Sequence, residues 1–197
     1  MTAYRSLSQS DAKRLRKLEQ ALAELREGTI TYFSITKLTS IKSLCKDDYL
    51  RTRYCLYLSA LVVGNAQKHV VKGGCKEAND LIQESGRAII GAANHDDNES
   101  ARRTLQRIIE YQDETEKVKW TTVRIIKNRN LLVLENLLHA LSARTDVALD
   151  YIYDATKHYV EKYNPHYGTG LIVDSIPMLE QIIDFWKLYE CRERSLG

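Results

Sequence analysis

Residues that break regular backbone are scarce: the 197-residue chain contains two prolines and nine glycines. Between Ala92 and Gly168 there is no glycine, and between Ala92 and Asn164 no proline. Few positions can therefore interrupt a helix, and helices in that stretch must turn without the usual punctuation. Phenylalanine is also rare, with two Phe against twelve Tyr. The apolar run Tyr54–Val63 is about half of the roughly 20 residues needed to span a bilayer, so no membrane segment is expected.

Several chemical signatures are missing. The four cysteines, Cys45, Cys55, Cys75 and Cys191, form no CxxC pair and no zinc-finger spacing with histidine. The opening Met-Thr-Ala-Tyr-Arg-Ser runs straight into charge without a secretory pattern. Free thiols in a reducing, cytoplasmic setting are the expectation. There is no Walker phosphate loop, dinucleotide fingerprint, nucleophile elbow or HExxH helix. No cofactor is expected, and catalysis is the weaker class of reading.

What remains is a helix-forming composition, 44% hydrophobic and 28% charged, outside the disordered range. Leu15, Leu18, Leu22 and Leu25 predict a helix from about Ser10 to Glu27, stopped by Gly28. Its early turns carry Lys13, Arg14, Arg16 and Lys17 and its last turn Glu24 and Glu27. Each charge so placed against the dipole near an end costs about 0.3–1 kcal/mol. Residues 29–35 are β-branched and aromatic, which predicts a short strand. Ile35, Leu38, Ile41 and Leu44 then recur every third position.

A buried helix is predicted from Asp47 or Asp48 to about Val71, before Gly73-Gly74, and another from Lys76 to Ala92. Asp96 and Glu99 have capping-box spacing ahead of Leu105, Ile108, Ile109 and Gln112. A break is expected at Lys117–Thr122, where alternation in 118–123 is compatible with a minor two-stranded ribbon with residues 29–35. The leucine-dense 130–143 segment follows. Then comes a helix from Thr145 or Asp146 to about Asn164, and a last one from Ser175 with Pro177 in its first turn. The reading is an all-α fold: residues 1–197 as a single compact bundle of seven or eight helices.

Three surfaces carry candidate chemistry. The first is the tyrosine-rich stretch Tyr151, Tyr159, Tyr163, His166 and Tyr167. Tyrosine suits half-buried positions and interfaces, so this stretch is the expected binding surface of a non-catalytic interaction or adaptor module. Its partner would be another protein or a second copy. The second is basic: Lys37, Lys42, Arg51, Arg53, Arg124, Lys127 and Arg129 are donors suited to phosphate oxygens, the alternative nucleic-acid reading. Net charge alternates along the chain, +5 over residues 1–60, −2 over 61–100, +4 over 101–130 and −4 over 131–197. That pattern is equally compatible with neutralisation inside the fold. The third is Glu135/His139 with Asp154/His158, two i,i+4 pairs that would suit a metal-dependent enzyme if two helices brought them together.

Overall fold

The computed structural model describes residues 6–30, 33–68, 76–95, 98–116, 122–161, 170–171 and 175–190, with the backbone alone at 67–68, 95, 115–116, 122–128 and 170–171. Eight α-helices lie among these residues: α1 Gln9–Arg26, α2 Ser40–Leu44, α3 Asp48–Lys68, α4 Lys76–His95, α5 Asn98–Glu116, α6 Thr122–Ser142, α7 Thr145–Val160 and α8 Ile176–Lys187. The all-α bundle expected from composition and periodicity is the observed fold.

Local chemistry sets the helix ends. The Ser8 hydroxyl accepts the Asp11 amide at 3.2 Å and caps α1. Beyond its C-terminus Gly28 takes φ +71°, while the amides of Thr29 and Ile30 donate to the Glu24 carbonyl at 3.0 and 3.2 Å. Only glycine adopts that left-handed turn without strain. Asp47 caps α3 through its carboxylate, which accepts the Leu50 amide at 3.0 Å. Between α6 and α7 the chain turns in two residues: the Ala143 amide still donates to His139 at 2.9 Å, and Arg144 is extended at φ −62°, ψ 153°. Ordinary residues thus make the turn for which the sequence offers neither glycine nor proline.

The threefold spacing of Ile35, Leu38, Ile41 and Leu44 has a direct structural counterpart. Ile35–Thr39 is a 3-10 helix that runs into α2; Ile35 and Leu38 align at three residues per turn, while Ile41 and Leu44 are i,i+3 neighbours on the α-helix. All four are buried. The strand preceding it is shorter than expected, Phe33–Ser34 (β1), and its partner is different. β1 pairs antiparallel with Gly170–Leu171 (β2), with Phe33 opposite Leu171. Of the expected ribbon partner 118–123, Thr122 and Val123 belong to α6, and 118–121 lie outside the described residues.

The core is centred on α3 and α6. α6 packs on α3, α4, α5 and α7, and α3 also meets α7 and α8. Leu131, Leu134, Leu137 and Leu138 of α6 are buried, as are Tyr54, Cys55, Leu58 and Val62 of α3. Each such leucine contributes about 1.5–3 kcal/mol through burial. α1 lies at the periphery, chiefly against α8 with α2 and β1 beside it. Three ion pairs run along the α1–α8 seam: Arg16 with Glu190 at 3.2 Å, Glu19 with Lys187 at 2.6 Å, and Arg26 with Glu180. Numbers rise on one side by the steps in which they fall on the other, the mark of a fixed antiparallel register. No helix among the described residues is long and apolar enough to cross a membrane.

Candidate functional site

Three of the twelve tyrosines tie helices together through their hydroxyl groups. Tyr54 is fully buried, with its hydroxyl 2.9 Å from that of Thr156. Gln181 of α8 receives two more: its backbone carbonyl accepts Tyr57 of α3 at 2.9 Å, and its side-chain oxygen accepts Tyr159 of α7 at 2.5 Å. A phenyl ring could fill these positions but could not make the bonds.

Tyr159, expected on a binding surface, is therefore a core residue, with no exposed area. Tyr151 is half-buried and stacks on His139 with ring centroids 4.6 Å apart and planes 13° from parallel. Tyr163, His166 and Tyr167 lie outside the described residues. The described part of the tyrosine-rich stretch thus faces inward, because α7 presents it to α6 and α8.

The basic residues do not form one free face either. Lys42 is ion-paired with Asp150 and stands 5.2 Å from the Tyr153 ring centre. Arg51 pairs with Asp48 at 2.5 Å. Arg129 is 8% exposed and donates to the carbonyl of Glu161, closing the C-terminus of α7. Lys37 and Arg53 are exposed, and Lys37 stands 5.9 Å from the Phe33 ring centre. Arg124 and Lys127 lie on α6, but their side chains are outside the described residues.

The two acid–histidine pairs are not brought into a metal-binding group. Among the described residues no three His, Cys, Asp or Glu side chains converge to hold an ion. His139 is engaged with the Tyr151 ring. Burial raises the Glu135 carboxyl above its ordinary value, against the opposing effects of a Gln112 hydrogen bond and of His139. Burial lowers His158, partly offset by Asp154, with Lys157 and Arg129 lowering it further.

The cysteines fit the expectation of free thiols where they are described. Cys45 and Cys55 are free and buried; Cys75 and Cys191 lie outside the described residues. Burial pushes the Cys55 thiol up to about 12 despite nearby Arg51. It raises Cys45 well above its ordinary value too, with Cys55 adding to the effect and Arg51 opposing it. Such thiols are packing groups, not nucleophiles. A cleft of about 150 Å³ between α1 and α8 is lined by Leu22, Ala23, Ile183, Asp184 and the Glu19–Lys187 and Arg26–Glu180 pairs. That is well below the roughly 300–1,000 Å³ of pockets that enclose small ligands.

A different surface combines apolar exposure with charge. Tyr49, Arg53 and Tyr57 follow one another at four-residue spacing, so they share one face of α3. That face meets the end of α8. The Arg53 guanidinium is held above its ordinary value chiefly by Tyr189, with a weaker contribution from Tyr49 and slight burial opposing. Tyr189 is anchored below by Phe185 and Trp186, at ring-centre distances of 5.3 and 6.4 Å. Its carbonyl accepts the Leu7 amide at 2.8 Å. Around this fixed base Tyr49 is 48% exposed and Leu188, next to Tyr189, 74%.

In the sequence Arg53 reads as a phosphate donor, and neither Tyr49 nor Leu188 stands out. The four-residue spacing of Tyr49, Arg53 and Tyr57 was visible, but its meeting with the α8 terminus is a tertiary fact. Compared with protein-family models, curated proteins and solved structures, the chain matches none.

Proposed function

We propose that this protein is a helical interaction module that binds a protein partner through the corner where α3 meets the end of α8. The observation that carries the reading is the exposure of Tyr49 and Leu188 near the place where Tyr57 of α3 stacks on Phe185 of α8, ring centres 4.8 Å apart. Tyrosine and arginine are enriched at the energetic centres of interfaces. A rigid base matters as much, because side chains already ordered lose less entropy on binding.

A photo-crosslinking residue in place of Leu188 tests the reading, with the same residue in place of Ile90 as control. A discrete partner captured from position 188 at fixed stoichiometry, and not from position 90, is the expected result. Light scattering on the isolated protein distinguishes a second copy of the chain from a different protein. If position 188 captures nothing beyond what position 90 captures, the corner is not a binding surface.

A further inference from the structure

The outward side of α1 carries an order of charge that the fold does not use. Lys13, Lys17, Gln20, Glu24 and Glu27 recur at alternating steps of four and three, so they form one stripe along the helix. The stripe lies opposite the buried Leu15, Leu18, Leu22 and Leu25, and its members are exposed, apart from half-buried Glu24. The ion pairs of α1 involve Arg14, Arg16, Glu19 and Arg26. Among the described residues none involves Lys13, Lys17, Glu24 or Glu27; the Glu24 carboxylate accepts from Gln20 at 3.0 Å.

The helical neighbours of these four ions work against them. Three or four positions from Lys13 and Lys17 stand only cations and uncharged residues, and from Glu24 and Glu27 only an acid and uncharged residues. Like charges at that spacing destabilise a lone helix, and both groups also oppose its dipole. A second α1 laid antiparallel on the first reverses every one of these relations, because each basic half then meets an acidic half.

We infer that two copies of this chain pair through the outward stripes of α1, antiparallel about a two-fold axis at Gln20. Lys13 of one copy then faces Glu27 of the other, Lys17 faces Glu24, and Gln20 meets its own counterpart. The stripe is its own complement, which is the reason to name a second copy as the occupant. A nucleic acid would be repelled by the acidic half. One helix face from each copy falls short of the roughly 800 Å² per partner of a standard interface, so the dimer is weak, with Kd on the order of 100 μM at low salt. This surface is separate from the α3–α8 corner and does not depend on it.

Sedimentation equilibrium of the full chain up to about 1 mM, at low and high salt, tests the pairing. The parent should dimerise at low salt and about tenfold or more weakly at high salt, where exposed charges are screened. Lys17→Glu and Glu24→Lys should each weaken the dimer about tenfold or more. The double variant restores opposite charges across the axis and should recover the parent's affinity. Arg102→Glu, at an exposed position of α5, should change nothing. Both reversals relieve like-charge contacts inside α1, so melts of the dilute proteins should show no loss of stability, and a lost dimer is then not a lost fold. A parent that stays monomeric throughout, a dimer indifferent to salt, or a double variant no tighter than the single ones would each overturn the inference.

Discussion

The hydroxyl of Tyr54 and that of Thr156 lie 2.9 Å apart, each on a side chain with no exposed area. Thr156 also reaches the Ile152 carbonyl at 2.7 Å. As the carbonyl can only accept, the threonine proton goes there and Tyr54 donates to the threonine oxygen. The two ends of this bond are consequently unequal.

Tyr54→Phe leaves the threonine proton bonded and should cost about 0.5–1.5 kcal/mol, whereas Thr156→Val strands a buried phenol and should cost about 1–3 kcal/mol. The double variant, with no polar group left over, is expected to be little worse than Tyr54→Phe alone. Chemical denaturation of the four proteins completes the cycle. Costs that simply add would show that the hydroxyls do not depend on one another.

Two helical glycines should respond oppositely to alanine. A methyl group at Gly64 in α3 meets nothing within 4 Å, so Gly64→Ala should stabilise by up to about 1 kcal/mol, the helix-propensity difference. A methyl group at Gly86 in α4 would lie 2.8 Å from Val63 Cγ2. Gly86→Ala must push α3 and α4 apart or force a new rotamer, at about 1–3 kcal/mol. Thermal melts read the signs directly, about 2–4 °C per kcal/mol at this chain size. Stabilisation by alanine at Gly86 would mean that the α3–α4 contact is looser than described.

The buried ionisable groups give stability a pH dependence of known sign. His158 is lowered by burial, so the unfolded chain takes up a proton first. Its contribution is complete above the unfolded value near 6.5 and is lost as pH falls from there through the folded value. Glu135 is raised by burial, so its ionised form weakens the fold at neutral pH, an effect that fades as pH falls through the folded value. His158→Gln should therefore flatten the decline in melting temperature below about pH 6.5. Glu135→Gln should raise stability at pH 7 by about 1 kcal/mol or less, and the gain should shrink on acidification. Melts across pH 4–8 separate the two, and a Glu135→Gln protein less stable at pH 7 would point to a structural role for the carboxylate.

Features written into a single helix were legible in the sequence. The leucine stripe and Gly28 stop of α1, the Asp47 start of α3 and the Pro177 start of α8 all follow from local rules, and each is present. The threefold spacing from Ile35 to Leu44 marks buried positions, through a 3-10 turn at Ile35 and Leu38 and an α-helical turn at Ile41 and Leu44. What failed to show was which elements meet. Nothing near Phe33 points to Leu171, because two-residue strands have no pattern to match. Tyr159 reads like a surface tyrosine until Gln181 of another helix is seen to accept its hydroxyl. The meeting of α3 with the end of α8 was hidden for the same reason: Tyr57 looks like any surface tyrosine without Phe185 stacked on it.

The seam between α1 and α8 bears on how the chain reaches this state. During synthesis α1 emerges well before α8, its main partner, with Leu15, Leu18, Leu22 and Leu25 ready to be covered. Until α8 arrives, that stripe has little to cover it beyond α2 and β1. The three ion pairs are exposed and individually weak, but they oppose a slipped docking of α8 when it comes. Docking α8 on α1 thus joins two segments far apart in sequence, and such long-range closure is intrinsically slow.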